Sequence, residues 1–258
     1  MIKLLKKVDL GLLVNLQSGH YKRKITANYF AYETKYEFCR FFDIELSQGY
    51  GIISIFNSTM IIAFSENFDI TKEELSEIAQ FILMNSPFSV EMPVEVAVKI
   101  GELLENYTKE YRTEYKFTNH EVLETFQLEE MPKLDDVYEI LKECFPIVKE
   151  SYSLWLTDTS HRIRRGLSQG FIMENCTTAT LQYMIDNVAL IGHVGTIPEK
   201  RGKYYARKLL YILGEKLAKE GVNVRLFARE NRVSYYNEIG FIPIGNDIVF
   251  EQLSRNFY

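Results

Sequence analysis

Apolar residues recur along this chain at two alternating spacings. Over 134–145, Leu134, Val137, Tyr138, Ile140, Leu141 and Phe145 repeat as on a helix, and Pro146 is expected to end or kink it. A second helix is expected from Tyr152 to about Arg165. The period then shortens. GFIMEN (170–175), TTATLQYMI (177–185) and NVALIGHVGT (187–196) read as strands, with Asp186-Asn187 supplying a hairpin turn. From Tyr204 the period lengthens again. Ala206, Leu210, Leu213 and Leu217 form one stripe, and Arg207, Lys208, Glu215, Lys216 and Lys219 lie mostly off it, which predicts an amphipathic helix capped at Gly221. Residues 222–228 alternate as a strand, a short helix around 233–239 stops at Gly240, and two short strands, FIPIG and DIVFEQL, are expected to finish the chain. The strand-helix-strand unit at 187–228 is long enough to be a parallel crossover.

The first half repeats this order. FFDIEL (41–46), GYGIISIF (49–56) and STMIIAFS (58–65) read as three strands, the last two joined at Asn57-Ser58. Thr71 and Glu74 have the spacing of a capping box, and Leu75, Ile78, Ala79 and Ile82 carry the helix onward. FSVEM (88–92) is expected as a strand, 96–107 as a helix and EYRTEYKFT (110–118) as a strand. The fold class expected is α/β (α+β), two related mixed sheets flanked by helices. The charged segment 119–133, ending in Met131-Pro132, is the best boundary, which divides the chain into 1–125 and 126–258.

Composition narrows the function classes. With 258 residues, 47% hydrophobic, the chain has material for a large core, and its 34 Tyr and Phe are read as core and strand residues. A formal net charge of −5 disfavours a general nucleic-acid partner. Cys39, Cys144 and Cys176 are odd in number and far apart, so neither a disulfide framework nor a metal site is expected, and a reducing cytoplasm suits them. The N-terminal apolar run LGLLVNL is short and lacks a cleavage signature, and no run approaches the ~18 apolar residues of a membrane span.

Basic residues concentrate in KRGKYYARK (200–208), between a strand and a helix. The first N–H groups of a helix lack internal partners and carry the positive end of its dipole. Gly202 lets the backbone approach a ligand closely, and Arg201, Lys203, Arg207 and Lys208 add charge, so the segment predicts a phosphate or pyrophosphate site. A basic but solvated surface turn is the competing reading. No GxxxxGK[ST] or GxGxxG is present, so a nucleoside triphosphatase or dinucleotide fold gains no support. The corresponding first-half segment, SENFDITKEEL (65–75), is acidic and lacks glycine.

VGTIPEKRGKYYARKLL (194–210) resembles the acetyl-CoA-binding motif of the GNAT superfamily of N-acyltransferases, with Arg201, Tyr204 and Ala206 at its signature positions. Tyr204 departs from the family's glycine. ARENRVSYYNEIGFIPIG (228–245) resembles the second motif, through Asn231, Tyr236, Gly240 and Phe241. The resemblance covers about 131–258, and the first half would be a degenerate copy, as in tandem members. It implies a full acyl-CoA N-acyltransferase fold for the second half, with acetyl-CoA as co-substrate and an amine of a small molecule or peptide as acceptor. By this resemblance the amides of Val194 and Thr196 hold the acetyl carbonyl and pantetheine arm. The loop amides of roughly 202–207 hold the pyrophosphate, Asn231 contacts the cofactor arm, and Tyr236 protonates the leaving thiolate. A packed helix residue is the alternative for Tyr236. Some members carry a basic Glu where this chain has Leu190, and His193 reads as structural, so no general base is assigned. The helix around Trp155 and Asp158 is expected to shape the acceptor pocket, or else to be an ordinary amphipathic helix. A non-catalytic acyl-CoA-binding regulator and a purely structural tandem domain remain the other classes, and a homodimer is left open.

Overall fold

The structure, a computed structural model, describes residues 1–118, 128–145, 148–149, 151–239 and 241–253. Pro146, Gly240 and residues 119–127 of the expected boundary lie outside these. Packing divides the chain into two units, Met1–Thr113 with Asn246–Tyr258, and Glu114–Gly245.

In the first unit β1 (Ile2–Leu4), α1 (Leu10–Val14) and α2 (His20–Tyr32) precede a meander of β2 (Cys39–Glu45), β3 (Tyr50–Phe56) and β4 (Thr59–Phe64). Asn57, at φ +50°, turns β3 into β4. Helix α3 (Lys72–Asn85) then crosses over to β5 (Ser89–Glu91), which pairs parallel to β4. The capping box is present: Glu74 N–H donates to Thr71 Oγ1 at 3.2 Å, and Thr71 N–H donates to Glu74 Oε2 at 2.8 Å. After α4 (Val94–Ile100), β6 (Tyr107–Lys116) begins. Phe42, Ile53, Ile62, Phe64, Ile82 and Val90 anchor one apolar core. The helix expected over 96–107 is shorter, because Leu104 and Tyr107 are buried through turns that follow Ile100 rather than through further helix.

The second unit repeats the order. After β7 (Leu128–Glu129), α5 (Leu134–Cys144) and α6 (Tyr152–Arg164), a meander of β8 (Gln169–Met173), β9 (Thr177–Ile185) and β10 (Val188–Thr196) leads into α7 (Tyr205–Lys219). Asp186 and Asn187 both have positive φ, the backbone of a tight primed hairpin turn. β11 (Asn223–Arg229) pairs parallel to β10, and α8 (Val233–Glu238) follows. Helix α7 buries Leu209, Leu210, Leu213 and Leu217 against Phe171, Met173, Leu181 and Ile191 on one face of the sheet. Helix α5 packs Val137 and Leu141 against Ile172 on the other face.

The last strand differs from expectation. β12 (Ile242–Gln252) is one continuous strand rather than two. Its second part pairs with β5 and buries Ile248 and Phe250 in the first unit's core. Residues 246–253 therefore pack in the first unit, although the division at 125 assigned them to the second domain. β5 would otherwise present an unpaired edge there.

A network of buried charges lies in the first unit. Glu91, 5% exposed, accepts from Lys24 Nζ at 2.6 and 2.7 Å and from Arg112 at 2.9 Å. Arg112 also donates to Asp247, as does the Tyr21 hydroxyl. His20 Nε2 lies 3.8 Å from Glu91 and 3.9 Å from Asp247. Burial would raise the Glu91 carboxyl, but Lys24 and Arg112 hold it well below the usual carboxylate range. Burial depresses the His20 imidazole. Both groups therefore bind protons more readily in the unfolded chain, so acid favours unfolding. Stability should begin to fall as pH drops through the ordinary histidine value of 6.5, and fall further below the ordinary glutamate value of 4.5. Glu91→Ala, which takes a buried carboxylate partner from both Lys24 and Arg112, is expected to cost about 3–5 kcal/mol in urea unfolding at pH 7; a loss under about 1 kcal/mol would contradict a coupled network.

Candidate active site

The site begins where two strands part. β10 and β11 pair over only four residues each, Val188–Ile191 against Asn223–Leu226. β10 continues on β9 to Thr196, while β11 runs on to Arg229. Ile197 N–H donates to the Cys176 carbonyl at 3.0 Å, on the β9 side. Strand alternation therefore turns the amide of Thr196 toward the side that β11 has left, and Val194 borders the same opening two residues earlier.

From that opening the chain passes through a 3-10 turn, Pro198–Lys200, into α7. Arg201 Nε donates to the Thr196 carbonyl at 3.0 Å, so its side chain ties the turn to the end of β10. Gly202, at φ +81°, and Lys203 are exposed. Tyr204 is the N-cap of α7, in the left-handed region at φ +61°, ψ +18°, and no side chain caps the helix. The first amide to close a helical bond is that of Lys208, to the Tyr204 carbonyl at 3.0 Å. The N–H groups of Tyr205, Ala206 and Arg207 precede it and have no intrahelical acceptor. The Arg207 guanidinium lies 5.2 Å from the Tyr204 ring centroid, and its Nε is buried without a hydrogen-bond partner among the described residues.

Tyr236 lies on α8, beyond the end of β11. Its ring is 5.2 Å from Tyr235, 5.6 Å from Tyr115 and 5.9 Å from Phe241, centroid to centroid. Burial, reinforced by Tyr235 and opposed by Arg232, pushes its phenol up to about 12. Val194, Tyr205, Tyr235 and Tyr236 all pack against the apolar cluster under α7, so β10, the mouth of α7 and α8 converge there. The Arg207 charge also acts on Tyr235. Asn231 is exposed in the 3-10 turn Glu230–Arg232 that follows β11.

The two expected pocket residues have other attachments. Trp155 packs against the α5 cluster, its ring 5.5 Å from Tyr138. Asp158 Oδ1 accepts from Nε of the buried Arg162 at 2.6 Å, one turn along α6. The carboxylate expected to draw an amine is engaged within its own helix.

A bulge in β10 escaped the sequence reading. Gly192 opposes Thr180 and Gly195 opposes Thr178, so His193 and Val194 face a single residue of β9. His193 has φ +51°, which L-residues adopt at a cost of order 1–2 kcal/mol. A Cβ added at Gly195 would stand 2.8 Å from Cys144 Sγ, so α5 sits close on this stretch. Two glycines flanking a histidine inside a strand were the available signal.

No family model matches the chain, and no curated protein matches it. Solved structures are similar in fold. A GCN5-related N-acetyltransferase from Kribbella flavida aligns over 93% of this chain and 98% of its own, with TM-score 0.63 and 10% identity. A tandem GNAT protein from the clavulanic acid biosynthesis pathway aligns over 97% of both chains, with TM-score 0.57 and 10% identity. A GNAT-family acetyltransferase from Colwellia psychrerythraea aligns over 98% of this chain and 100% of its own, with TM-score 0.51 and 14% identity. The chain thus has the α/β fold of the tandem GNAT acetyltransferases.

Tyr204→Gly relieves a left-handed tyrosine and removes its stacking with Arg207, which exposure keeps weak. It is expected to stabilise the protein by about 1 kcal/mol in urea unfolding. Destabilisation would mean that the Tyr204 ring holds the loop.

Proposed function

We propose that the second unit is an acetyl-CoA-dependent N-acetyltransferase acting on a primary amine of a small molecule or peptide. The observation that carries this reading is the opening between β10 and β11, which leads directly to an uncapped helix N-terminus. A thioester laid in the opening meets the amides of Val194 and Thr196, donors suited to a developing oxyanion. The pyrophosphate then reaches the amides of Tyr205, Ala206 and Arg207. Gly202 admits the chain closely, Lys203 adds charge, and the buried Nε of Arg207 gains an acceptor. Arg201 fixes the turn through Thr196. Asn231, across the opening at the end of β11, contacts the cofactor arm.

Tyr236 supplies the proton that the departing thiolate needs. A phenol at about 12 stays protonated at neutral pH, so the donor form is always present. It is a weaker acid than an ordinary tyrosine, so its contribution comes from position. A non-catalytic acyl-CoA-binding regulator is the alternative, favoured by Leu190, whose apolar side chain is 2% exposed at the position of the family's basic Glu.

Calorimetry with acetyl-CoA is expected to show binding in the micromolar range; no heat at high micromolar ligand would remove both ligand readings. Thiol release over a panel of amines separates enzyme from regulator. Tyr236→Phe is expected to lower kcat about 10²-fold or more, with little change in KM for acetyl-CoA. Equal turnover would mean that Tyr236 only packs.

A further inference from the structure

We propose that His193 is the general base that deprotonates the acceptor amine, with Thr180 fixing its tautomer; this rests on the acyl-transfer reading above. Its place in the chain is the first ground. His193 directly precedes Val194, so its Cα is about 3.8 Å from that of the residue whose amide would hold the thioester carbonyl. The bulge assigns the two side chains to different surroundings. Val194 packs on the α7 cluster, whereas the His193 ring lies 6.0 Å from Phe145 at the end of α5. The cofactor phosphates belong at the mouth of α7, on the Val194 side. The α5 side is then left for an amine to approach the carbonyl.

The tautomer follows from proton counting. Thr180 Oγ1 lies 3.2 Å from the Gly192 carbonyl and 3.2 Å from His193 Nδ1. A hydroxyl has one proton, and a carbonyl can only accept. Both bonds form together only if the hydroxyl donates to Gly192 and accepts from Nδ1–H. Nε2 then carries the lone pair. Burial lowers the imidazole from its ordinary value, so the ring is neutral at pH 7. The titratable group that α5 brings to the same stretch of β10 is Cys144; burial raises its thiol, against the opposing effect of Arg201. A strained, left-handed histidine in this bulge is accounted for by a duty at the reacting carbonyl.

The step balances. An ammonium R–NH₃⁺ passes one proton to Nε2, giving imidazolium and R–NH₂. The nitrogen lone pair forms the C–N bond, and the carbonyl pair moves onto oxygen. Collapse of that oxyanion breaks the C–S bond. The thiolate takes the Tyr236 proton, the nitrogen gives up its second proton to restore Tyr236, and His193 releases its own to solvent. The products are an amide, free thiol and one proton.

Two measurements test this on the full chain. Nitrogen-15 NMR of the histidine rings at pH 7, assigned with His193→Asn, should show His193 neutral and protonated on Nδ1. A neutral Nε2–H form, or a charged ring, overturns the proposal whatever the acceptor proves to be. Asn suits a left-handed position, so His193→Asn keeps the bulge. With a primary alkylamine that supports thiol release in the wild type, the variant should lose about 10²-fold in kcat at pH 7. KM for acetyl-CoA should stay within about threefold, and the loss should shrink as pH rises toward the amine's own pKa. A loss below about threefold in a folded variant overturns the proposal. Failure of the wild type to bind acetyl-CoA would sink the acyl-transfer reading itself, and is distinguished by calorimetry.

Discussion

The early end of the β10–β11 pairing is the constraint on which the rest of the second unit depends. A parallel pair that continued to Thr196 would spend the amides of Val194 and Thr196 on β11. Because pairing stops at Ile191, the last residues of β10 border an opening instead. The bulge at His193 and Val194 lets β10 diverge without losing β9, on which it holds through Thr196. The same strand then delivers the chain into α7 with its first amides uncommitted. His193, the amides at the end of β10 and the uncommitted amides of α7 thus lie along about fifteen consecutive residues.

The first unit repeats the topology, but its crossover helix begins with a closed cap. β4 pairs with β5 over Thr59–Ile61 against Ser89–Glu91, but the crossover helix α3 is closed by its own capping box, and Glu73 and Glu74 occupy its first turn. An anion there would meet carboxylates where α7 offers bare amides. At the end of β5, Glu91 is locked to Lys24 and Arg112 and flanked by His20. That network holds strands and a helix together, and its two cations leave a metal ion little reason to bind beside His20, Glu91 and Asp247. In the proposed reading, cofactor chemistry belongs to the second unit and the first has a structural part.

Local patterns were legible in the sequence where they are set by neighbouring residues. The α3 capping box, the Asp186-Asn187 turn and the stripe of α7 each arise within a few residues, and each is present. Helix α2 was not anticipated, because it buries Thr26 and Asn28 among its apolar residues, and Asn28 bonds Ser54 at 3.0 Å. Such a helix lacks a clean stripe. The two final strands proved to be one, since nothing local reports that β12 changes unit near Gly245. At the site, the loop and α7 could be read from Gly202 and its basic neighbours. The Asp158–Arg162 pairing was available in the four-residue spacing on the expected helix but was not drawn, whereas the left-handed His193 could not be read, because it depends on backbone geometry that spacing does not encode. Tyr204 changes from an anomaly in a motif to a left-handed helix cap, which is the physical reason a glycine suits that position.

A crystal structure of the protein soaked with acetyl-CoA tests the central claim most directly. A single cofactor per chain is expected, with its pyrophosphate on the amides of Tyr205, Ala206 and Arg207 and its thioester between β10 and β11 beside Val194. A cofactor seated in the first unit, or one whose thioester lies away from Val194 and Tyr236, would contradict it.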